Sequence, residues 1–384
     1  MPRKVLRVAL NGVTGRMGYR QHLVRSLLSI REQGGVPLAG GGTVYPEPVL
    51  VGRSEERLRG IAERHGLQHW STSLDDVLAD PKVGVYFDTQ VTSARVASLG
   101  KAIAAGKHVY TEKPVADSLD GALRLARAAR EAGVTNGVVQ DKLFLPGMIK
   151  LRRLARQGFF GQLLAARLEF GYWVFEGDVI PAQRPSWNYR AADGGGIVLD
   201  MFPHWQYLLE DLLGPVTAVY ARQVTHVPQR WDEAGARYDV TAGDAAYAVL
   251  ELASGVTASV NSSWAVRVNR RELLELQLDG THGSAVAGLR NCAMQHRVST
   301  PLAVWNPDLP DPVDYRAQWS DVPDNAVFDN GFKVQWEQFL RAAAEGAALP
   351  WDLAQGARGV QLAELALRSS AEGRRVDVPP LAVL

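Results

Sequence analysis

The chain has 384 residues, of which 46% are hydrophobic and 22% are charged. This composition excludes a disordered protein, because it supplies enough apolar surface to bury a core, and the length predicts two domains. Lys and Arg number 42 and Asp and Glu number 41, which gives a formal net charge of +1. A charge this close to zero argues against nucleic acid or an anionic membrane surface as a partner.

The single cysteine and the lengths of the apolar runs indicate the compartment. Cys292 cannot form a disulfide within the chain, which excludes a disulfide-stapled secreted scaffold and favours a reducing environment. No apolar run approaches the ~18 residues of a membrane-spanning helix. The run Val5–Leu10 is interrupted by Arg7 and is too short for a signal segment. We therefore expect a cytoplasmic protein with no membrane association.

Residues 1–142 alternate strands with helices. Short β-branched runs predict strands at Val5–Asn11, Val49–Val51, Val83–Asp88, Lys107–Thr111 and Gly137–Gln140. Apolar positions at helical spacing predict helices that include Leu23–Ile30, Glu55–His65, Ser73–Leu78, Val96–Ile103 and Leu119–Ala132. This alternation requires crossover connections, so we expect an α/β domain with a parallel sheet covered by helices on both faces. The stretch Gly34–Pro48 is interpreted as an inserted loop.

Residues 143–384 show a different pattern, typical of an α+β domain with a large, mostly antiparallel open sheet. The predicted strands are Leu163–Trp173, Val216–Val224, Ala245–Leu252, Val256–Ser263 and Glu272–Asp279. The predicted helices are Ile197–Leu213, Lys333–Glu345 and Asp352–Glu372. We expect the last helix to pack back on the first domain, and residues 300–330 to form an irregular wrapping segment.

A glycine-rich segment follows the first strand and opens the first helix: Gly12-Val13-Thr14-Gly15-Arg16-Met17-Gly18. Glycines let the backbone approach a pyrophosphate, and the free N–H groups of a helix start bind the anion. Its spacing, G-x-x-G-x-x-G, makes the loop one residue longer than the commonest fingerprint, and a tight turn without a ligand is the alternative. Its position between strand and helix favours a dinucleotide site. The expected contacts are Gly12, Thr14, Gly15, Arg16, Met17 and Gly18.

The end of the second predicted strand distinguishes NAD from NADP. In such folds an acidic side chain there binds the ribose 2′-hydroxyl of NAD, whereas an arginine accommodates the 2′-phosphate of NADP. This chain has Gly52-Arg53-Ser54 at that place, so Arg53 and Ser54 favour NADP, with NAD as the alternative because Glu55 and Glu56 are close. Arg53 as a solvated residue and Ser54 as a helix cap are the simpler interpretation.

Glu112-Lys113-Pro114 follows the strand predicted at Lys107–Thr111, at the edge where open parallel sheets bind ligands. Proline disfavours helical geometry for Lys113, so the strand ends there and the ammonium is expected to project into the cleft. Lysine, unlike arginine, can exchange a proton when burial lowers its pKa. The alternative is a surface ion pair formed by Glu112 beside a solvated Lys113.

A second candidate constellation is Asp200-Met201-Phe202-Pro203-His204. Positions i and i+4 share one face of a helix, so Asp200 and His204 could together hold a hydroxyl group and remove its proton. A buried histidine of the core is the alternative for His204. Pro203 is expected to distort or end a helix that begins before it.

Three segments together resemble the glucose-fructose oxidoreductase/inositol dehydrogenase/MocA (Gfo/Idh/MocA) family. They are the glycine-rich first turn, Ala105-Gly106-Lys107-His108-Val109-Tyr110-Thr111-Glu112-Lys113-Pro114, and Gly194-Gly195-Gly196-Ile197-Val198-Leu199-Asp200-Met201-Phe202-Pro203-His204. The resemblance implies a Rossmann domain, a second domain whose open sheet often mediates dimers or tetramers, and NAD(P)-linked oxidation of a secondary alcohol on a sugar or cyclitol. By this resemblance Lys113 assists at the reacting oxygen, His204 is the general base, and Asp200 contacts a substrate hydroxyl.

The chain departs from this family at two places. Such proteins commonly have Thr-Pro and then a histidine after the fourth strand, where this chain has Thr89-Gln90-Val91-Thr92-Ser93-Ala94-Arg95. Where an arginine or histidine often follows the sixth strand, this chain has Gln140-Asp141-Lys142, so Lys142 is expected to replace it at the substrate. Thr89, Glu112 and Lys113 complete the expected cofactor contacts. The first turn also resembles that of dihydrodipicolinate reductases, whose histidine-rich catalytic segment is missing here.

Aromatic residues precede the Asp200 segment. All but one of the 10 tryptophans lie after residue 170. Trp173 and Trp187 could form a platform for a sugar ring, with core packing as the alternative, and Arg184 could bind an acidic group of the substrate. No histidine or carboxylate cluster has the spacing of metal ligands.

Three functions are compatible with these features. The first is an NAD(P)-dependent oxidoreductase, NADP-preferring, that acts on a secondary alcohol of a sugar, sugar derivative or cyclitol. The second retains its NAD(P) and acts as a glycosidase or lyase through transient oxidation. The third is a nucleotide-binding sensor without catalysis.

Overall fold

The computed structural model describes residues 3–381 and divides the chain into two compact units. The first contains the described residues up to Phe144 together with Asp329–Glu364, and the second contains Leu145–Phe328 and Leu365–Pro380. The sequence predicts a second domain over residues 143–384, with the last helix packing back on the first domain. Asp329–Glu364, which include most of that helix, belong to the first unit.

Helices and strands are numbered in chain order. The helices are α1 (π-helical over Met17–Leu28 and α-helical over Ser29–Glu32), α2 (Glu55–His65), α3 (Leu74–Ala79), α4 (Thr92–Ala104), α5 (Leu119–Glu131), α6 (Pro146–Arg156), α7 (Ile197–Leu213), α8 (Gly331–Glu345) and α9 (Leu353–Glu372). The strands are β1 (Arg3–Asn11), β2 (Val36–Pro37), β3 (Thr43–Val51), β4 (His69–Ser71), β5 (Val83–Asp88), β6 (His108–Thr111), β7 (Asn136–Val138), β8 (Leu163–Gly171), β9 (Val216–Val224), β10 (Gln229–Trp231), β11 (Arg237–Asp239), β12 (Ala245–Leu252), β13 (Thr257–Ser263), β14 (Leu274–Gly280), β15 (Gly283–Ala287), β16 (Cys292–His296), β17 (Ser320–Asp321) and β18 (Val376–Asp377).

The first unit is built on the predicted parallel sheet. Its strand order is β2-β3-β1-β5-β6-β7, with β4 also paired to β3, and only the short β2 runs antiparallel to its neighbour. Successive residues of β1 point to opposite faces of the sheet: Val8 and Leu10 belong to one apolar cluster, and Ala9 belongs to the other. Residues of α1 and α8 complete the first cluster, and residues of α4, α5 and the start of α9 complete the second. The Rossmann fold predicted for this part is confirmed.

The expectation that Gly34–Pro48 is an inserted loop is wrong. Val36 and Pro37 pair with Val44 and Thr43 in an antiparallel arrangement, and β3 then continues from Thr43 to Val51 beside β1. Pro46 and Pro48 conceal this strand in the sequence, because proline lacks the N–H of a ladder hydrogen bond. They lie between the stretch of β3 that pairs with β2 and the stretch that pairs with β4, where one edge of the strand is unpaired and proline is tolerated.

The second unit contains a nine-stranded sheet in the order β17-β16-β15-β14-β8-β13-β12-β9-β18. Within it β13 pairs with β8 in parallel, and the other neighbours are antiparallel, as expected for this half. Helix α7 packs against β9, β12 and β13, and α6 packs against β15 and β16. Residues 300–330 are largely irregular apart from β17.

Pro203 was expected to distort or end its helix, and the second of these outcomes is wrong. Helix α7 runs through it, from Ile197 to Leu213. A proline in a helix interior costs about 3 kcal/mol, because it removes a hydrogen bond and clashes with the preceding turn. The residues from Met201 to Leu209 are all buried, and this burial outweighs the cost. Within residues 3–381, no helix is long and apolar enough to span a membrane.

Gly12 provides a test of the fold at the turn after β1. Its φ is +84°, and a Cβ there would lie 2.8 Å from the Thr89 carbonyl oxygen. Gly12→Ala should lower the free energy of unfolding by about 1–3 kcal/mol, because it adds backbone strain and a clash. The measurement is the urea midpoint. Gly60→Ala is the matched control, since Gly60 lies within α2 with open space around it. This substitution should raise the free energy of unfolding by up to ~1 kcal/mol. Equal midpoints for Gly12→Ala and wild type would contradict the strained turn.

Candidate active site

The glycine loop lies at the carboxyl end of β1 and is tied to two neighbouring strands. The Gly12 N–H donates to the Val51 carbonyl at 3.2 Å, and the Thr89 N–H donates to the Asn11 carbonyl at 3.0 Å. A Cβ at Gly18 would lie 2.7 Å from the Gly12 carbonyl oxygen. The positions of Gly12 and Gly18 therefore admit only glycine without rearrangement.

The start of α1 fits the phosphates of a dinucleotide. The helix begins without a side-chain cap and without an acidic residue in its first turn, and Gly15 and Arg16 beside it are exposed. Uncapped N–H groups at a helix start form an anion site. Gly12, Thr14, Gly15, Arg16, Met17 and Gly18 are thus suited to hold a pyrophosphate.

Arg53 and Ser54 lie in the turn between β3 and α2. The Ser54 hydroxyl caps α2 by accepting the Arg57 N–H at 3.4 Å. This confirms the simpler interpretation of Ser54 as a helix cap. Arg53 is exposed, and among the described residues its guanidinium makes no hydrogen bond or ion pair. The turn borders the glycine loop, since a Cβ at Gly52 would lie 3.7 Å from the Thr14 methyl group.

Glu112 and Lys113 lie directly after β6. The Glu112 N–H donates to the Asp88 carbonyl at 2.9 Å, so this turn is tied to the end of β5. The Glu112 side chain is buried, Lys113 is half-buried, and the Lys113-Pro114 peptide bond is cis. The backbone N–H of Lys113 donates to the Glu112 Oε2 at 3.2 Å. The alternative of a surface ion pair at Glu112 does not apply, because its carboxylate is inside the unit.

The sequence interpretation missed His22, which contacts the Glu112 carboxylate, and Trp336, which contacts His22. His22 Nε2 lies 2.7 Å from the Glu112 Oε1, and the Trp336 indole N–H donates to the His22 Nδ1 at 3.0 Å. Burial by itself raises the pKa of Glu112, but the His22 hydrogen bond and the charges of Lys113 and Arg95 outweigh it, so the pKa lies below the ordinary 4.5. Glu112 is therefore a carboxylate.

Arg95 occupies the segment that departs from the family pattern. It is buried, and its Nε lies 3.2 Å from the Asp88 Oδ1. Its guanidinium also donates to the Gln90 carbonyl at 2.7 Å and to the Pro114 carbonyl. Arg95 thus joins the loop after β5 to the turn after β6. No periodic pattern of apolar residues indicates a buried arginine near the exposed start of α4.

Asp88 is buried beside this guanidinium and has further donors. The Tyr86 hydroxyl donates to the Asp88 Oδ2 at 2.6 Å and accepts from the Asn11 side chain at 2.9 Å. Burial, and then the charge of Asp88, raise the pKa of Tyr86, so its hydroxyl remains a donor.

Lys142 Nζ lies 3.5 Å from the Asp141 Oδ1, and both side chains are largely buried.

In the second unit, α7 carries the Asp200 and His204 side chains. His204 is buried, and its Nδ1 lies 2.7 Å from the Tyr207 hydroxyl. The Asp200 Oδ2 accepts from the Arg184 Nη1 at 2.9 Å. Tyr207, at i+3 from His204, is a partner that the i and i+4 pairing of Asp200 with His204 did not include.

Arg184 is held by several side chains of the second unit. Besides Asp200, its guanidinium donates to the Asn188 Oδ1 at 3.1 Å and to the Tyr172 hydroxyl at 3.4 Å, and it lies 4.1 Å from the centroid of the Trp264 ring. Burial lowers the pKa of Arg184, but Asp200 and Tyr172 outweigh it and raise the pKa overall. Its charge is matched within the protein by Asp200, and a role with an acidic substrate group stays a prediction.

The two tryptophans expected near the substrate, Trp173 and Trp187, lie in the second unit. Trp187 is 45% exposed. Trp173 is half-buried, and the Arg267 guanidinium lies 4.5 Å from the centroid of its ring. Among the described residues, no group of three or more His, Cys, Asp or Glu side chains could hold a metal ion.

Comparison with known proteins agrees with a nucleotide-binding oxidoreductase. Residues 6–140 match an oxidoreductase family with an NAD-binding Rossmann fold, and residues 148–286 match the GFO/IDH/MocA C-terminal domain. The chain is an NAD(P)-dependent dehydrogenase that acts on CH–OH groups. It belongs to the Gfo/Idh/MocA family.

Two relatives and one solved structure show the range of similarity. D-xylose dehydrogenase of Paenarthrobacter nicotinovorans is 57% identical over 381 residues, which cover 98% of each chain. 1,5-Anhydro-D-fructose reductase of Ensifer adhaerens is 30% identical and covers 68% of this chain and 72% of its own. The apo form of levoglucosan dehydrogenase has a TM-score of 0.82 at 20% identity, over 99% of this chain and all of its own. This last likeness shows the fold alone.

The lowered pKa of Glu112 predicts a pH-dependent contribution to stability. The folded state holds this carboxyl group below its ordinary pKa of 4.5, so the unfolded state binds more protons and the contribution is present above about pH 4.5. It is lost as the pH falls through the folded value. Glu112→Gln should therefore melt below wild type at neutral pH, and the difference in melting temperature should narrow below about pH 4.5. A difference that stays constant with pH would contradict this account.

Proposed function

We propose that this chain oxidises a CH–OH group of a sugar, with D-xylose as the first candidate substrate and NADP preferred over NAD. The observation that carries the proposal is the 57% identity to a D-xylose dehydrogenase over 98% of both chains. A likeness of this extent covers both structural units. The alternative of a glycosidase or lyase with retained NAD(P) has no observation in its favour, and a sensor without catalysis disagrees with the enzyme family.

The proposed roles divide the oxidation of an alcohol into its parts. Bound NAD(P) supplies the acceptor for the hydride that leaves carbon. Lys113 binds the reacting oxygen and stabilises its developing negative charge, and His204 removes the hydroxyl proton. For the His204 Nε2 to act as the base, Nδ1 must keep its proton and donate to the Tyr207 oxygen, 2.7 Å away. Asp200, oriented by Arg184 at 2.9 Å, binds a neighbouring sugar hydroxyl.

Further substrate contacts are proposed from the sequence. Lys142 binds a sugar hydroxyl in place of the arginine or histidine common in the family. Trp173 and Trp187 supply aromatic surface for the apolar face of the ring, a role that the 45% exposure of Trp187 supports.

The preference for NADP rests on Arg53. Its guanidinium is exposed beside the glycine loop and is not engaged by another described side chain, so it can bind a 2′-phosphate. Ser54 contributes its hydroxyl as a second donor while it caps α2. The cofactor of a solved levoglucosan dehydrogenase complex is NADH, which makes NAD the alternative to test.

We also propose a cytoplasmic homo-oligomer formed through the large sheet. Alternate residues of its strands β9 and β12 leave Tyr220, Tyr247 and Val249 exposed on one face. Exposed aromatic and β-branched side chains on neighbouring strands form an apolar patch of the kind that subunit interfaces cover. Cys292 is buried and free, which is compatible with a reducing compartment.

The substrate proposal is tested by following reduced cofactor during incubation with D-xylose, other aldoses and cyclitols, using NADP and NAD. We expect turnover with D-xylose. Lys113→Ala and His204→Ala should each lower kcat/KM by about 10²- to 10⁴-fold, because each removes a group that acts on the reacting oxygen or its proton, while Lys113→Ala still binds the cofactor.

Lys101→Ala is the matched control for the lysine substitution. Lys101 is exposed and paired with Asp75 at 2.7 Å, so its loss should leave kcat/KM unchanged. Wild-type turnover by Lys113→Ala would remove Lys113 from the mechanism, and a chain inactive on every sugar tried would overturn the substrate class.

The cofactor proposal is tested by the dissociation constants of NADP and NAD. Arg53→Ala should weaken NADP by about tenfold or more, because it removes a charged hydrogen bond worth about 1.5–3 kcal/mol, and should affect NAD far less. Arg59→Ala, at an exposed arginine in the adjacent helix α2, makes the same change in net charge and should affect the binding of neither cofactor. Equal losses for the two cofactors in Arg53→Ala would reject a phosphate site.

A further inference from the structure

A buried series of hydrogen bonds connects Trp336 of α8 and His22 of α1 to the backbone of Lys113. The Trp336 indole N–H donates to the His22 Nδ1 at 3.0 Å, and the His22 Nε2 lies 2.7 Å from the Glu112 Oε1. The other carboxylate oxygen, Oε2, accepts the Lys113 N–H at 3.2 Å. Helices α1 and α8 are thus connected to the turn after β6 through buried side chains.

The Trp336 indole determines the direction of each hydrogen bond in this series. An indole N–H can only donate, so the His22 Nδ1 that faces Trp336 must be the nitrogen without a proton. The proton of the neutral ring is therefore on Nε2, which donates to Glu112. His22 is 0% exposed, so no solvent competes for either nitrogen. The ring has one orientation and one tautomer that satisfy both neighbours.

The surroundings of His22 are otherwise apolar. The centroid of its ring lies 4.3 Å from that of Phe87 and 5.3 Å from that of Phe332, and Leu23 and Leu27 of α1 are buried in the same cluster. A buried polar side chain is costly unless it is hydrogen-bonded, and an apolar residue would pack here at lower cost. The presence of a histidine among aromatic rings therefore indicates a role beyond packing.

We infer that His22, oriented by Trp336, is a positioning residue for Lys113. Its Nε2–H fixes one oxygen of the Glu112 carboxylate, so that the other oxygen holds the Lys113 backbone N–H and sets the place from which the ammonium extends. The inference rests on the proposed function, because it gives Lys113 the catalytic role. His22 itself touches neither substrate nor cofactor and acts through Glu112.

Two amide substitutions separate this role from general polarity. In His22→Gln the side-chain amide has the reach of Nε2 and can still donate to Glu112. In His22→Asn the same amide is one methylene shorter and reaches only the place of Nδ1. Tyr110→Phe is the control within the same aromatic cluster, since the Tyr110 ring lies 4.8 Å from the Trp336 ring and its hydroxyl has no partner among the described residues.

The first measurement is NMR of ¹⁵N-labelled protein and needs no substrate. We expect the His22 Nδ1 to show the shift of an unprotonated ring nitrogen. The Lys113 amide proton should keep its hydrogen-bonded shift in His22→Gln and in Tyr110→Phe and should move in His22→Asn. A protonated Nδ1 in wild type, or a Lys113 amide signal that is the same in all the variants, would overturn the inference.

The second measurement is kinetic. With D-xylose and NADP, kcat of His22→Asn should fall by about 10- to 100-fold with little change in either KM, because a displaced ammonium affects the transition state more than binding. His22→Gln should recover most of kcat, and Tyr110→Phe should match wild type. Equal kcat for His22→Gln and His22→Asn would overturn the positioning role. A wild type inactive on every sugar would overturn only the proposed function, since the amide shift of Lys113 still decides the inference.

Discussion

The first unit depends on a constraint at one edge of its parallel sheet, where four strands end and their turns must stay close together. Backbone hydrogen bonds connect β1 with β3 and β5, and β5 with the turn after β6. Gly12 and Gly18 allow this approach, because a side chain at either position would meet backbone atoms closer than 3 Å. The same lack of side chains leaves the N–H groups at the start of α1 accessible to an anion.

Buried charge keeps the turns at this edge in place. Asp88 and Glu112 are carboxylates inside the unit, and each is compensated: Asp88 by Arg95 and the Tyr86 hydroxyl, and Glu112 by His22 and the Lys113 N–H. Buried charges compensated in this way seldom add net stability over apolar packing. Their value is geometric, since each carboxylate accepts bonds from two different segments and so fixes one segment against the other.

The sequence predicted the parts of the fold that local pattern determines. The bounds of α2, α7, β5, β9 and β12 agree with the structure, because each is a continuous periodic segment with a clear cap or turn at its ends. β3 was recognised only in its last part, since Pro46 and Pro48 interrupt the β-branched pattern. The position of Lys113 at the sheet edge also followed from local signals, namely a strand and then a proline.

The polar partners of the site could not be predicted in this way. His22 lies 90 residues from Glu112 and 314 residues from Trp336 in the chain, and nothing in a single sequence indicates that distant residues meet. His22 also occupies an apolar helical face, where a histidine is usually a core residue, and Arg95 lies among residues with loop character. Their roles follow from burial together with hydrogen-bond direction, both of which require coordinates.

Helix α7 of the second unit shows why spacing alone does not assign a proton. The i and i+4 pattern places Asp200 and His204 on one face, but the side chain at the His204 Nδ1 is Tyr207, at i+3 and 2.7 Å away. A phenol can donate or accept, so Tyr207, unlike a carboxylate, leaves the tautomer of His204 open to both states. Asp200 has its own cationic partner in Arg184 and holds its charge there. Only the tautomer with its proton on Nδ1, donating to the Tyr207 oxygen, leaves the Nε2 lone pair available to accept a proton.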